Sequence, residues 1–158
     1  MRKQPIRECS RCKATTKSGG HCKNRTCKSQ LCWVHLKSQK GLRIKKSQFG
    51  EGLYAVKRIP ANKKIGEYVG ERLPRTQLDR LYPGDTAQYT ICDNNRCVDG
   101  RKTNSSAVRY ANSGRGTDKS NNARLRFHGG MFTLRSMSRP IPAGREILTN
   151  YGNEYRLT

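Results

Sequence analysis

The stretch that decides the fold is Ile141-Pro142-Ala143-Gly144-Arg145-Glu146-Ile147-Leu148-Thr149-Asn150-Tyr151-Gly152. Its proline turn leads into a short apolar run, which is typical of a β-strand entered from a tight turn. The same arrangement occurs at Ile59-Pro60-Ala61, where a second isoleucine follows six residues after the first, as it does from Ile141. Two copies are too few for a repeat protein, so the two similar stretches predict two proline turns with the same local geometry.

Two segments further upstream carry additional signals. One is Arg109-Tyr110-Ala111-Asn112-Ser113, followed by Asn121-Asn122-Ala123-Arg124. The other is Phe49-Gly50-Glu51-Gly52-Leu53-Tyr54-Ala55, followed by Ile65-Gly66-Glu67-Tyr68-Val69-Gly70-Glu71. A ligand can approach the backbone closely at a glycine because no Cβ intervenes. A lone Gly-x-Gly is usually a turn, and it is the joint occurrence of the three segments that is specific.

Together the three segments resemble the SET domain, and the match spans roughly residues 42–155. The resemblance implies a mainly β fold of short antiparallel sheets with a threaded C-terminal segment. It also implies a protein lysine methyltransferase that uses S-adenosylmethionine. The segment at Gly50 is similar to the family's opening motif, which lies against the methionine part of the cofactor. The segment at Asn112 is similar to the signature whose asparagine fixes the adenosine end.

The resemblance implies a set of cofactor-binding residues, namely Gly50, Glu51, Gly52, Leu53, Tyr110, Asn112, Ser113 and Tyr151. The chain departs from the family pattern around Asn112: Ser113 stands where histidine is usual, Asn121 stands where proline is usual, and the link between them is longer. These departures affect adenine recognition most. Thr149 stands where the family typically has Phe or Tyr, so the number of methyl groups added is not indicated.

The final stretch resembles the family ending Gly-Glu-Glu-Leu-x-x-x-Tyr-Gly, which puts Tyr151 on the tyrosine regarded as catalytic. Methyl transfer from a sulfonium to an amine is an in-line displacement, so the enzyme contributes alignment and electrostatics. The lysine must be neutral, and an aromatic channel lowers the amine pKa by desolvation. We predict that Tyr151 orients the amine and that Tyr89 forms a channel wall. An ordinary strand aromatic is the alternative for Tyr89.

The rest of residues 41–158 also predicts a mainly β domain. Expected strands, separated by Gly, Pro and Asn turns, cover 52–56, 64–69, 88–92, 131–134 and 146–149. One helix is predicted from Arg75 to Leu81, because Pro74 suits its first turn and Pro83-Gly84 stops it. The turn Asp93-Asn94-Asn95-Arg96 predicts a hairpin.

Residues 1–40 predict a separate zinc-binding module. The spacing Cys12-x9-Cys22-x9-Cys32-x2-His35 supplies three thiolates and one imidazole, enough for one closed structural zinc site. Few apolar residues accompany these ligands, so metal binding would supply much of the folding free energy. The segment resembles small Cys/His fingers of large DNA viruses. Cys9 competes for the first ligand pair, and Cys27 and His21 are spare candidates, so the ligand set stays open.

The cysteine distribution favours metal over disulfides in this segment, because five of the seven cysteines fall there and we expect no export signal. Cys92 and Cys97 flank the predicted hairpin and are expected to be small, half-buried side chains.

The charge predicts acidic partners. The chain holds 33 Lys and Arg against 11 Asp and Glu, a formal net charge of +22. Such a surface attracts phosphate backbones. We expect a lysine-containing protein substrate such as a histone tail, held near nucleosomal DNA or other nucleic acid, in a nucleus or, if the protein is viral, in a host nucleus or virion. No apolar run is long enough for a membrane span. Similar minimal viral members of the family end just after Tyr-Gly-x-x-Tyr and suggest a homodimer.

A second class of function stays open from the sequence alone. The unusual stretch from Asn112 to Asn122 is compatible with a catalytically inactive SET fold that works as a zinc-containing nucleic-acid or chromatin-binding protein. Methylation of a basic non-histone protein is a third possibility.

Overall fold

The chain folds into short β-strands joined by turns, as the sequence predicts. The computed structural model describes residues 9–84, 89–102 and 105–150. In chain order the strands are β1 (Ser10–Arg11), β2 (Arg25–Thr26), β3 (Leu42–Ser47), β4 (Gly50–Ala55), β5 (Lys64–Tyr68), β6 (Glu71–Pro74), β7 (Thr90–Asp93), β8 (Arg96–Asp99), β9 (Ala123–His128), β10 (Met131–Ser136) and β11 (Thr149–Asn150). The helical elements are α1 (Trp33–His35), a π-helical turn (Leu36–Lys40), α2 (Arg75–Leu81) and a 3₁₀ turn (Ala107–Tyr110).

The described strands form four small sheets, ordered β1-β2, β3-β4, β6-β8-β7 and β11-β9-β10-β5. All pairs are antiparallel except β11 with β9, which run parallel. The mainly β class with short antiparallel sheets is therefore confirmed.

Packing follows from the alternation of apolar residues along these strands. Leu53 of β4, Leu134 of β10, Ile141 and Ile147 have no exposed surface and centre the main core. The two Ile-Pro-Ala turns of the sequence echo lie side by side, because Ile59 and Ile141 each donate a backbone N–H to the carbonyl of the other at 2.9 Å. The two similar turns are therefore paired with each other in the structure.

The predicted helix and hairpin are confirmed. Helix α2 spans Arg75–Leu81 and is preceded by Pro74, whose extended backbone stands just outside the first turn. The hairpin joins β7 to β8 through Asn94, which adopts a φ of 51°. The strand expected at 146–149 is shorter, since only Thr149–Asn150 forms a strand and Glu146 makes an isolated bridge to Tyr54.

Four cysteines differ from expectation, because the structure pairs them as disulfides. Cys9 is bonded to Cys27, and Cys92 to Cys97. The register explains both pairs: Ser10 faces Thr26 in the β1-β2 ladder, so residues 9 and 27 continue it, and Cys92 faces Cys97 directly in β7-β8. Cross-strand neighbours lie close enough for a disulfide. The preference for metal over disulfides was wrong for Cys9 and Cys27, and Cys97 is fully buried rather than half-buried.

No helix in the described ranges is long and apolar enough to cross a membrane.

Candidate functional site

The three segments singled out in the sequence lie side by side through backbone hydrogen bonds. The N–H of Ile147 donates to the carbonyl of Leu53 at 2.7 Å, which joins the glycine segment to the final stretch. The N–H of Thr149 donates to the carbonyl of Asn112 at 2.8 Å, which joins the second segment to the same stretch. Residues separated by about a hundred positions thus form one site. Tyr151 and Gly152 lie outside the described residues.

Gly50 and Gly52 play different parts in this site. Gly50 has a φ of 99°, in the region that favours glycine, and a Cβ built on it would meet no atom within 4 Å. Its backbone is therefore open to a ligand. At Gly52 a Cβ would lie 2.5 Å from Glu146 Oε1 and 2.9 Å from the Ser47 Cβ. Gly52 is required because neighbouring side chains already fill that space.

A polar cluster of Ser47, Asn112 and Glu146 surrounds Gly52. Asn112 Nδ2 lies 3.0 Å from the carbonyl of Glu51, 3.2 Å from Glu146 Oε1 and 3.4 Å from Ser47 Oγ. Ser47 Oγ donates to Glu146 Oε1 at 2.5 Å. The Asn112 amide therefore ties the second segment to the first and to the final stretch. These bonds lie inside the predicted cofactor site and connect its three segments.

Glu146 is the buried charge of this cluster, with a relative exposure of 8%. Burial by itself raises the pKa of Glu146, but hydrogen bonds from Ser47, Asn112 and Lys119 outweigh it and bring that pKa below its ordinary value. Lys119 Nζ lies 3.3 Å from Glu146 Oε2. The carboxylate is thus held ionised, and its lysine partner comes from the unusually long link.

The second segment and its unusually long link make hydrogen bonds that hold them in place. Asn122 Oδ1 accepts from the N–H of Leu148 at 3.0 Å, and Asn122 Nδ2 donates to the carbonyl of Glu146 at 2.8 Å. Asn121 Oδ1 accepts from the N–H of Gly114 at 2.8 Å, which closes the link on itself. Ser113 is buried, and its Oγ accepts from the N–H of Arg115 at 3.2 Å. The long link is therefore an ordered part of the site.

The remaining predicted cofactor residues are placed as follows. The Glu51 carboxylate forms an ion pair with Lys28. Leu53 is fully buried and contributes its carbonyl to the bond with Ile147. Tyr110 is buried, and its ring lies against Tyr89. The role of each toward a cofactor stays a prediction.

Tyr89 stands in an aromatic cluster with Tyr110. Their ring centroids are 5.8 Å apart with an interplanar angle of 63°, an edge-to-face contact. Tyr68 lies close by, since a Cβ on Gly100 would sit 3.0 Å from Tyr68 Cε1 and 3.2 Å from the Tyr89 carbonyl. Tyr89 itself has a φ of 60°, a conformation that non-glycine residues rarely adopt outside functional or tightly constrained sites.

Arg109 was not singled out from the sequence, although it lies in the second segment. Its side chain is buried and donates to the carbonyls of Lys28, Gly100, Arg101 and Lys102 at distances of 2.5–3.0 Å. The guanidinium carbon lies 5.2 Å from the Tyr89 ring centroid and 5.0 Å from that of Tyr110. A fixed cation therefore stands beside both aromatic rings. Its place at the start of the second segment marks Arg109 in the sequence, but its residue type alone does not distinguish it from a surface arginine.

The four predicted zinc ligands cluster in the N-terminal module. The ligand atoms of Cys12, Cys22, Cys32 and His35 all lie within 4.8 Å of one another. His35 Nδ1 is 3.3 Å from Cys32 Sγ and 3.6 Å from Cys12 Sγ. Tetrahedral zinc with the usual bond lengths separates sulfur from nitrogen by about 3.6 Å. The cluster fits one structural zinc, and the open ligand set narrows to these four, since Cys9 and Cys27 are bonded to each other and His21 is exposed.

Two thiols of the cluster, Cys32 and Cys22, have pKa values shifted in opposite directions. Burial raises the pKa of the Cys32 thiol, but hydrogen bonds from His35 and Asn24 outweigh it and bring the pKa to about 6. A backbone hydrogen bond from Asn24 lowers the pKa of Cys22, yet burial and the neighbouring Cys12 and Cys32 leave it raised. A thiol with a low pKa supplies the thiolate that zinc requires.

The module packs directly against the site. Lys28 pairs with Glu51, and its carbonyl accepts from Arg109 at 2.8 Å. The N–H of Gln30 donates to the carbonyl of Ser105 at 3.1 Å, and Leu31 contacts both the main core and the cysteine cluster. The module therefore contacts the predicted cofactor and lysine sites directly.

Comparison with known proteins agrees with this arrangement. The family model "SET domain" matches residues 50–152. Among solved structures, the methyltransferase domain of human PR domain-containing protein 2 superposes with a TM-score of 0.53 at 22% identity, covering 75% of this chain and 81% of that chain. No curated protein matches the sequence. The family match extends over most of the chain and includes the glycine, asparagine and final segments that meet at the site, and from it we conclude that the chain belongs to the SET-domain family.

Proposed function

We propose that the protein is an S-adenosylmethionine-dependent protein lysine N-methyltransferase that acts on a histone tail or another basic chromatin protein. Family membership supports lysine methylation in general. The observation that carries the proposal is the meeting of the three segments at Leu53, Asn112 and Thr149 through short backbone and side-chain hydrogen bonds.

The residues present fit the proposed cofactor. The open backbone at Gly50 leaves space that a Cβ would fill, and Asn112 is fixed beside it by the Glu51 carbonyl. S-adenosylmethionine, when bound, supplies a methyl group on a positive sulfonium. The backbone of Gly50–Gly52 and the Asn112 stretch would hold it.

The aromatic cluster supports the proposal that the target lysine is held in its neutral form. Tyr89 and Tyr110 provide ring faces that displace water, and desolvation lowers an amine pKa. The buried Arg109 guanidinium, about 5 Å from both rings, pushes in the same direction because a nearby positive charge disfavours an ammonium. The chain's own residues thus favour the neutral, nucleophilic amine. The proposal assigns Tyr151 to orienting that amine.

The charge of the chain supports a substrate presented together with nucleic acid. A protein of net charge +22 repels a free cationic tail, so nucleosomal DNA would supply the attraction. This points to action on chromatin in a nucleus. The zinc site is proposed as structural, because three thiolates and an imidazole close the coordination shell and leave no open position.

The test is incubation with radiolabelled S-adenosylmethionine and nucleosomes, alongside Tyr151→Phe and a control of the same type, Tyr82→Phe, whose hydroxyl donates to Asp99 outside the three segments. We expect label on lysine with the wild type and the control and strongly reduced label with Tyr151→Phe. Purified basic proteins in place of nucleosomes test a non-histone substrate. Absence of label on every protein offered would contradict the proposal.

A second candidate, an inactive SET fold that binds nucleic acid, is favoured by the surface of the module. Residues 9–40 contain eight Lys and Arg and no Asp or Glu. Trp33, between two zinc ligands, is 73% exposed. An exposed aromatic amid cations is typical of surfaces that stack on unpaired bases. This candidate predicts salt-sensitive DNA binding that persists in a protein without transferase activity.

A further inference from the structure

The four-stranded sheet β11-β9-β10-β5 has one face in the main core and carries cations on the other. The core face is formed by alternate residues, among them Ala123, Phe132 and Leu134. Because successive side chains of a strand point to opposite faces, Arg124 and Arg126 of β9 and Arg135 of β10 lie on the outer face. The ladders place Arg135 between Arg124 on one side and Lys64 of β5 on the other. Three cations therefore stand side by side across three neighbouring strands.

Little acidic charge balances this cationic face, which consists of Arg124, Arg126, Arg135 and Lys64. In the part of the chain that the structure describes, Glu67 pairs with Lys64, and the three arginines form no ion pair. Four cations less one carboxylate leave the face a net charge of +3. Like charges directly opposite each other on neighbouring strands repel, so the row opposes folding. A bound polyanion would replace this repulsion with attraction.

Two of the guanidinium groups are already held in place. Arg135 Nη2 donates to the carbonyl of Asn62 at 2.8 Å. Arg124 is half-buried and its Nε is buried, so its stem is packed against its neighbours. Arg126 and Lys64 are exposed and complete the face. Side chains that are ordered before binding lose less conformational entropy when a ligand arrives.

We propose that this cationic face binds the phosphate backbone of duplex DNA. A guanidinium presents a planar fork of donors that fits phosphate oxygens. The row spans two strand spacings of about 4.8 Å, and a duplex carries one phosphate charge per about 1.7 Å of its axis, so several phosphates lie within reach. Contacts to phosphates carry no base information, and the binding is therefore independent of DNA sequence.

The composition of the face favours a duplex over a single strand. Within Lys64–Tyr68, Ala123–His128 and Met131–Ser136, no Phe, Tyr or Trp lies on the outer face, since Phe127, Phe132 and Tyr68 belong to the core side. Proteins that hold single strands stack the bases on such rings. The exposed Trp33 of the zinc module is the surface that would suit unpaired bases. The inference goes beyond the proposed methyl transfer, because DNA binding at this face needs no methyl donor.

The test is a titration of a fluorescein-labelled duplex of about 20 base pairs with the full chain, followed by anisotropy at several salt concentrations and without methyl donor. The face variant combines Arg126→Gln with Arg135→Gln. The matched control combines Arg80→Gln with Arg145→Gln, two exposed arginines outside the sheet, for the same loss of charge. Trp33→Ala tests the zinc module. The melting temperature without DNA confirms that each variant is folded, and Arg126→Gln alone serves if the double variant is not.

Each phosphate contact contributes about 0.9 to the slope of log K against log salt for duplex DNA. We expect the face variant to reduce the magnitude of that slope by about 2 and to weaken binding at least about tenfold at about 0.15 M salt. Arg126→Gln alone should reduce the slope by about 1, and the control pair by less than about 0.5.

Three results would overturn the inference. Equal losses in the face variant and the control pair would show diffuse attraction by net charge. A duplex affinity that falls in Trp33→Ala and not in the face variant would place the nucleic acid on the zinc module. Polyglutamate of equal charge that binds as tightly as the duplex would show that the partner is an acidic protein. Since no methyl donor is present, failure of the proposed methyl transfer leaves all of these outcomes unchanged.

Discussion

Replacement of Gly52 by alanine should destabilise the protein through the polar cluster beside it. The new Cβ would lie 2.5 Å from Glu146 Oε1, 2.9 Å from the Ser47 Cβ and 3.2 Å from Asn112 Nδ2. Glu146 must move, and it is buried with its carboxylate bonded to Ser47, Asn112 and Lys119. The substitution therefore adds steric strain and breaks at least one bond to a charged group.

The magnitude follows from these two contributions. Overpacking of a filled site costs about 1–3 kcal/mol. A lost hydrogen bond to a charged group costs about 1.5–3 kcal/mol. Partial relaxation leaves a destabilisation of about 3 kcal/mol, which for a domain of this size lowers the melting temperature by about 6–12 °C.

The assay is thermal unfolding followed by circular dichroism, with Gly20→Ala as the control. Gly20 lies on the module surface, where a Cβ makes only an ordinary contact at 3.7 Å with Thr16 Oγ1. A double-mutant cycle with Glu146→Ala should recover part of the loss, because the closest contact disappears. If Gly52→Ala melted within about 2 °C of Gly20→Ala, the packing described around Asn112 would be refuted.

Three further predictions concern charge, metal and thiols. The folded-state pKa of Glu146 lies below its unfolded value of about 4.3, so the stabilisation by its carboxylate is present above the unfolded pKa and is lost as the pH falls through the folded pKa. Denaturant titrations from about pH 6 to about pH 3 should therefore show the wild type losing its stability advantage over Glu146→Gln. A stability difference that stays constant over this range would contradict the prediction. Elemental analysis should find one zinc per chain, lost in His35→Ala and kept in His21→Ala, and chelation should lower the melting temperature of the wild type; zinc retained by His35→Ala would exclude the assigned ligand set. In metal-free, denatured but unreduced protein, three of the seven cysteines should react with a thiol reagent; seven reactive thiols would show that the two disulfides are absent.

Local signals account for the features that the sequence predicts well. Proline before Arg75 and Pro83-Gly84 after Leu81 bound a helix within a few residues, and Asn94 marks a turn whose positive φ asparagine tolerates. The clustering of Cys12, Cys22, Cys32 and His35 also agrees with the spacing in the sequence, because metal geometry limits which residue types can meet, and zinc binding by these four stays a prediction.

Long-range partners could not be predicted in the same way. Ser47 and Glu146 are 99 residues apart and meet only because β4 and the final stretch pack together. Arg109 donates to four backbone carbonyls. Every residue type carries a backbone carbonyl, so the amino-acid sequence does not indicate which ones accept these bonds. The Cys9–Cys27 disulfide depends on the register of two strands of two residues each, too short to show any periodicity. The roles of Asn112 and Ser113 toward adenine stay predictions.

The central claim is that the segments at 49–54, 109–113 and 146–150 form one methyl-donor pocket. Calorimetric titration of the zinc-loaded protein with S-adenosylmethionine tests it most directly, with Asn112→Ala to remove the amide that ties the segments together. We predict binding at one site per chain, weakened at least about tenfold in Asn112→Ala. A folded wild type that gives no binding heat at any temperature tried, and no shift in melting temperature with the methyl donor, would contradict the account.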